Sequence, residues 1–204
     1  MITIIDYGLG NLGSILNMLK KIGAKAQISS SLQEIERAEK LLLPGVGAFD
    51  NGMAQLRARG MVELLNWKAL EQKVPVLGIC LGMQLLGNRS EEGHESGLGW
   101  IDGQSVRFSF DGANSGLKVP HMGWNLVANS KQSALLKDML EELRFYFVHS
   151  YHFACNQPQD ELLKTHYGFD FTSAIEKNNI MGVQFHPEKS HKFGMRLLSN
   201  FANL

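Results

Sequence analysis

Residues 74–87 read VPVLGICLGMQLLG, and the pattern of the chain changes in the middle of them. Val74–Ile79 is an apolar run of the length of a buried strand, and Leu81–Leu86 has the composition of a helix. Cys80 stands at the join, inside Gly78-Ile79-Cys80-Leu81-Gly82. Small flanking residues permit a tight, strained strand-to-helix turn, which lifts the side chain above the strand end. Such a turn also aims the following N–H groups at the place where an oxyanion would form. A helix N-terminus favours the thiolate, so Cys80 is expected to be thiolate-rich near neutral pH. Free cysteine is among the most buried residue types, so a packing role is the plain alternative for Gly-x-Cys-x-Gly alone. The strand and helix on either side favour chemistry. Cys155, in HFACNQ, has no such setting and reads as structural.

Upstream of this stretch, apolar runs alternate with helical spacing. Ile2–Ile5 reads as a buried strand, and residues 12–22 as a helix carrying Leu12, Ile15, Leu16 and Leu19 on one face, ended by Gly23. Ala24–Ile28 follows as a strand, and Ser29–Ser31 offers an N-cap for a short helix through Arg37. Lys40–Leu43 reads as the third strand; PGVGAF then breaks the chain before helical material to about Leu70. This alternation predicts an α/β fold, a mostly parallel twisted sheet with helices on both faces. The second half changes character. Gly-rich turns and short β-like runs such as Trp100–Phe110 fill residues 90–129, and a helix is predicted over Ala134–Leu143. Strands are predicted at Phe145–Val148, Phe171–Glu176 and Gly182–Gln184, with a closing helix near Phe193–Phe201. Residues 1–204 read as a single domain with irregular and antiparallel additions in its later half.

Composition narrows the function classes. Lys plus Arg equals Asp plus Glu, so the formal net charge is zero. A nucleic-acid or anionic-membrane surface needs a basic excess, and neither partner is expected. No stretch approaches the roughly 18 consecutive apolar residues of a spanning helix. MITIIDYGLGN lacks the basic and apolar regions of a signal peptide. With two cysteines and no secretory context, a cytoplasmic protein with reduced thiols is expected.

Near the end stands GVQFHPEKSH. Pro187 disfavours helical geometry at His186, and in an extended chain residues two apart share a side, so His186 and Glu188 are predicted to face together. A carboxylate beside the imidazole would fix its tautomer and stabilise the imidazolium. Alone, His-Pro-Glu is a weak signal that fits an ordinary turn. Paired with the cysteine turn, it places nucleophile and base at the carboxyl ends of strands, where α/β sheets carry their sites. His149 and His152 form His-x-x-His, with His166 and His191 elsewhere, but no further ligand spacing completes a metal set. No metal and no cofactor is expected.

The motifs PGVGAFD, GICLGMQLL and GVQFHPEKS resemble those of the class I, triad-type glutamine amidotransferases, which share a flavodoxin-like fold. More narrowly, IDYGLGNLGS, SEEGHESGLGWIDG, VPHMGWN and FYFVHSYH are similar to the glutaminase subunits of imidazole glycerol phosphate synthases, and the likeness covers nearly the whole chain. The resemblance implies hydrolysis of L-glutamine to glutamate and ammonia through a thioester on Cys80. His186 would act as acid and base, and Glu188 would orient it. It implies an oxyanion hole at Val46, Gly47 and Leu81, and glutamine contacts at Gly47, Gln84, Glu92, Ser150 and Tyr151, the last two largely through backbone groups. Gln84 lies one helical turn beyond Cys80, on the same face. A peptide flanked by Gly45 and Gly47 reorients cheaply, which suggests an off/on switch at the Val46 amide; an ordinary tight turn is the alternative.

Only sixteen residues follow Glu188, too few for a domain that consumes ammonia, so a separate partner chain in a heterodimer is expected. The resemblance implies a (β/α)8-barrel cyclase of histidine biosynthesis, receiving ammonia across an interface near Asn11, His121, Trp124, Tyr146 and Lys189. Trp124, an aromatic in a polar, Gly-containing loop, suits an anchor there, with core packing as the alternative. GNRSEEGHESGLGWIDG, HSYH and KSHKFG depart somewhat from the histidine-pathway pattern. The departure leaves open a paralogous subunit feeding a sugar-amidating enzyme of surface-glycan biosynthesis. A different cysteine hydrolase and a non-catalytic binding subunit are the readings from other classes.

Overall fold

The computed structural model describes residues 1–112, 116–139 and 142–204. Strands β1 (Ile2–Ile5), β2 (Ala26–Ser29), β3 (Lys40–Gly45) and β4 (Val76–Cys80) are joined by helices α1 (Leu12–Lys21), α2 (Leu32–Glu36), α3 (Phe49–Ala58) and α4 (Met61–Asn66), α4 running on as a π-turn to Glu71. Helix α5 (Leu81–Leu85) follows β4 without a break, and α6 (His191–Ala202) closes the chain. The later half contributes β5 (Arg89–Ser90), β6 (Gly103–Arg107), β7 (His121–Asn129), β8 (Leu143–His149), β9 (Tyr151–Cys155), β10 (Glu161–Tyr167), β11 (Phe169–Lys177) and β12 (Ile180–Val183). Among the described residues the strands run β2-β1-β3-β4-β12-β11-β10-β7-β8 across the sheet. The five from β2 to β12 pair parallel, and those beyond β12 pair antiparallel. The parallel half and its antiparallel extension are those the sequence predicts.

Successive side chains of a strand point to opposite faces, and here each face has its own helices to cover it. Ile2, Ile4, Leu42, Leu77 and Ile79 pack on one side with α1 and α6. Ile5, Leu41, Leu43 and Val76 pack on the other with α3 and α4. Burial on both faces explains why β3 and β4 are continuous apolar runs rather than alternating ones.

Several local predictions are corrected. Ser31 occupies the N-cap of α2 but its hydroxyl caps nothing; its N–H instead donates to Ser29 Oγ at 3.0 Å. The helix predicted over Ala134–Leu143 is a single 3-10 turn, Ala134–Leu136, and residues 140–141 of that span lie outside the described residues. The turn ends because Lys137 takes an extended ψ and Asp138 a φ of +53°. Leu135 and Leu136 are buried all the same, so apolar spacing there reflects the core and not a helix. Trp124 stands in a nine-residue strand, β7, and not in a loop. Partners from His121↔His149 to Val127↔Leu143 hold that strand, and none of them is a sequence neighbour.

Candidate active site

Cys80 is where the sheet and α5 collide, and the glycines around it follow from that. The residue adopts φ +56°, ψ −111°, in the turn from β4 into α5. A Cβ on Gly82 would lie 1.7 Å from Leu43 O, and one on Gly78 would lie 2.7 Å from Gly82 O. Only bare backbone at both positions lets α5 sit close on β3 and β4. The result is a cysteine 8% exposed, lining a cavity of about 470 Å3. Val46, Gly47, Leu81, Gln84, Glu92 and Tyr151 line that cavity together with His186, so the structure gathers these predicted site residues from five segments. Ser150 lines it as well.

His186 and Glu188 meet, but not as a strand pair. The strand β12 ends at Val183; His186 is extended at φ −102°, ψ 97°, and Pro187–Lys189 winds into a 3-10 turn. The turn curls the carboxylate back, so Glu188 Oε1 lies 2.8 Å from His186 Nδ1. Both side chains are almost wholly buried. With Nδ1 engaged by the carboxylate, the buried His186 Nε2 has no nitrogen or oxygen partner among the described residues and is left to the Cys80 sulfur, as a ring nitrogen kept for a reacting group would be. Burial by itself lowers the imidazole's basicity; hydrogen bonding to Cys80 and to Glu188, with the negative charge of both behind it, outweighs burial and raises His186 to about 10. The sulfur on one side and the carboxylate on the other thus favour the protonated ring.

Two positions that the sequence reading passed over hold this arrangement. Ser190 is fully buried; its hydroxyl donates to His186 O at 2.6 Å and accepts from Tyr146 N at 3.0 Å, pinning the turn to β8. Gln184 is 0% exposed, and its Nε2 lies 3.7 Å from Cys80 Sγ. A lone amide between Val183 and Phe185 in an apolar run was the available signal, because a buried amide must find partners.

The oxyanion segment is less symmetric than its two glycines suggest. Gly47 takes φ +102° in open space, so it can turn freely. Gly45 is buried in β3 and needed for close approach: a Cβ there would lie 2.2 Å from Tyr7 Oη. Glu92 reaches the cavity from residues 90–96 while its Oε2 accepts from Phe49 N at 2.8 Å, at the start of α3. Asp50 returns the contact, accepting from His94 N at 2.9 Å and Glu95 N at 3.0 Å. The carbonyl of Tyr151 is already taken by Gln84 Nε2 at 3.3 Å and His149 Nδ1 at 2.7 Å, and that of Ser150 by Phe108 N at 3.0 Å. What these two residues have left for a ligand is their N–H groups and hydroxyls.

The residues predicted for a partner surface separate. Asn11, Trp124 and Lys189 are exposed and Tyr146 is half-buried, with Lys189 Nζ 5.6 Å from the Tyr146 ring centroid. His121 is the exception: it is buried, hydrogen-bonded to His149 and stacked on Tyr167. Its side chain faces inward from β7, because neighbours on a strand alternate and Met122 takes the outward side.

A cysteine on a strained strand-to-helix turn, an imidazole and carboxylate from the far end of the chain, and a cavity above them are the arrangement expected of a class-I glutamine amidotransferase. The family model described as glutamine amidotransferase class-I matches residues 3–203. The chain is 55% identical to imidazole glycerol phosphate synthase subunit HisH 2 of Pseudomonas aeruginosa, over 100% of both chains. It is 53% identical to the subunit of the same name from Methanococcus maripaludis, over 98% of both. A solved structure described as a glutamine amidotransferase superposes with a TM-score of 0.75 at 16% identity, covering 100% of each chain, a likeness of fold. The chain belongs to the HisH family of class-I glutamine amidotransferases.

Proposed function

We propose that Cys80, His186 and Glu188 carry out the glutaminase reaction of this chain, and that the ammonia released passes to a separate synthase subunit. Cys80 Sγ attacks the side-chain amide carbon of glutamine, forming the carbon–sulfur bond and an oxyanion facing Leu81 and Val46–Gly47. The oxyanion collapses, the carbon–nitrogen bond breaks, and His186 Nε2 gives its proton to the departing nitrogen. Water then attacks the thioester carbon, its proton returning to His186, and glutamate leaves as the carbon–sulfur bond breaks. Glu92 and Gln84 hold the amino-acid end of the substrate. The observation that carries this reading is the buried imidazole of His186, its Nδ1 on Glu188 and its Nε2 left to the Cys80 sulfur.

The same cavity supports a partner. Its lining also includes Pro120, Val148 and Lys189. Beside it β7 presents Met122, Trp124 and Leu126, which are 62%, 45% and 52% exposed. An apolar strip of this kind at the exit of the site suits a second subunit that seals the cavity and receives ammonia. The names of the HisH relatives point to the cyclase of imidazole glycerol phosphate synthase, hence to histidine biosynthesis in a heterodimer. Two of those relatives are numbered HisH 2, which favours a second reading, a paralogous glutaminase serving a sugar-amidating synthase. Both cysteines are free, as the reducing cytoplasm requires.

Glutamate release should be measured with each candidate synthase and its acceptor present. Replacing Cys80 by Ala is expected to lower turnover by about 10^4-fold or more. Undiminished turnover in that variant would overturn the mechanism, and the synthase that raises turnover in the native chain identifies the acceptor.

A further inference from the structure

We propose that Gln184 is a further catalytic residue, whose side-chain N–H holds the Cys80 sulfur, and that a chain of one-way hydrogen bonds fixes its amide for that task. This rests on the reading of Cys80 as nucleophile. Gln184 Nε2 lies 3.7 Å from Cys80 Sγ, within reach of a sulfur acceptor, and both groups are buried. A side-chain amide has two faces of opposite character, and a turned-over Gln184 would set its oxygen against a thiolate. The neighbours decide which face the sulfur meets.

Gln184 Oε1 lies 3.0 Å from Gln84 Nε2, and the same Gln84 nitrogen is 3.3 Å from Tyr151 O. A backbone carbonyl only accepts, so the nitrogen of Gln84 points toward Tyr151 and also toward Gln184. That leaves Gln184 to accept at its oxygen and donate to sulfur. The orientation of Tyr151 is fixed from behind in the same manner. His149 Nδ1 lies 2.7 Å from Tyr151 O and must carry hydrogen; in a neutral ring its Nε2 then accepts, from His121 Nδ1 at 2.9 Å. His121 Nε2 accepts in turn from Asn125 Nδ2 at 3.1 Å. Asn125 cannot turn over, because Leu126 N donates to its Oδ1 at 2.8 Å and His166 O accepts from its Nδ2 at 2.9 Å. Every link is an amide, an imidazole or a carbonyl, with no hydroxyl to reverse the direction. The series runs from strand β7 of the antiparallel extension to Cys80, and its last member touches the reacting atom. Burial keeps both imidazoles neutral, lowering His121 to about 4 and His149 to about 3, which preserves the donor sense of the series.

A hydrogen bond to a charged group is worth enough to alter turnover by about 10–100-fold, and the sulfur should lose that stabilisation when the donor is removed. The test is Gln184→Leu in the full chain. Iodoacetamide alkylation of Cys80 is followed against pH, and glutamine kinetics are measured with the synthase partner bound. The expected result is an upward move of the alkylation midpoint by about one pH unit, with kcat lower by about 10–100-fold and KM nearly unchanged. A role in packing alone would lower stability and leave the alkylation midpoint in place. If Gln184→Leu does not fold, Gln184→Met, an unbranched side chain of similar length without a donor, is read in the same way. A folded variant with the native midpoint and native kcat overturns the proposal. Activity lost in Cys80→Ala but retained in Gln184→Leu would sink this proposal alone, whereas activity retained in Cys80→Ala would sink the glutaminase mechanism beneath it.

Discussion

Close approach of backbone decides this site more than any side chain does. Gly82 lets a helix rest against the carbonyl of Leu43, and Gly194 does the same for α6 against Pro187 O, 1.8 Å from where a Cβ would stand. These contacts bring Cys80 and the turn carrying His186 to a common floor. Gly82→Ala is therefore expected to destabilise the chain by about 3 kcal/mol through a clash that no rotamer relieves, as measured by urea unfolding. A variant as stable as the native chain would show that α5 can slide outward. Reading a tight strand-to-helix turn at Cys80 from Gly78, Gly82 and the strand and helix around them was sound for this reason: the pattern reports packing that only a bare backbone permits. Gln184 and Ser190 were not legible in the same way. Their roles depend on partners 44 to 104 residues distant in the chain, Tyr146 and Cys80.

Two elements position groups that never touch each other. Helix α3 and the segment carrying Glu92 cap one another, Phe49 N to Glu92 and Asp50 to His94 N and Glu95 N, with Arg57 and Glu95 paired alongside. Gly93 allows the contact, since a Cβ there would stand 2.0 Å from Asp50 Oδ1. Asp50→Ala should loosen the segment and raise the KM for glutamine by about 2–10-fold while changing kcat little, in steady-state assays with the partner present. An equal fall in kcat would place Asp50 in the chemistry instead. On strand β7 the outward row carries Trp124, stacked on His191 and set edge-on to Tyr146. Trp124→Ala is expected to weaken binding of the synthase subunit by about 10–30-fold without lowering the thermal midpoint of the free chain. Calorimetric titration with the partner measures the first effect and thermal unfolding the second. Unchanged affinity would move the docking surface off β7.

Across the whole molecule, the site ties stability to pH from both sides. His121 and His149 have folded values of about 4 and about 3 against the ordinary 6.5, so the unfolded chain takes up their protons first. Their contribution is complete above pH 6.5 and is lost as pH falls through about 4 toward about 3. His186 has the opposite sign. Its value, raised to about 10, makes the imidazolium's contribution complete below 6.5 and lost as pH climbs through about 10. Urea midpoints are expected to fall between pH 7 and pH 5, and the fall should be shallower in His121→Gln, which has no ring to protonate. Equal slopes in the two proteins would show that His121 is not held neutral.

Much of the architecture could be read from the chain because a parallel sheet covered on both faces demands continuous apolar runs, and β1, β3 and β4 are written as such. The turn at Cys80 and the pairing of His186 with Glu188 were likewise legible, since each is a local pattern of few residues. Strand β7, the failure of the helix at Ala134–Leu143, the burial of His121 and the amides against the sulfur were decided by tertiary structure alone. The reason is physical. A buried strand or a tight turn is specified by its own neighbours, whereas an antiparallel edge, an imidazole pair or an oriented amide acquires its meaning only from groups that folding brings to it.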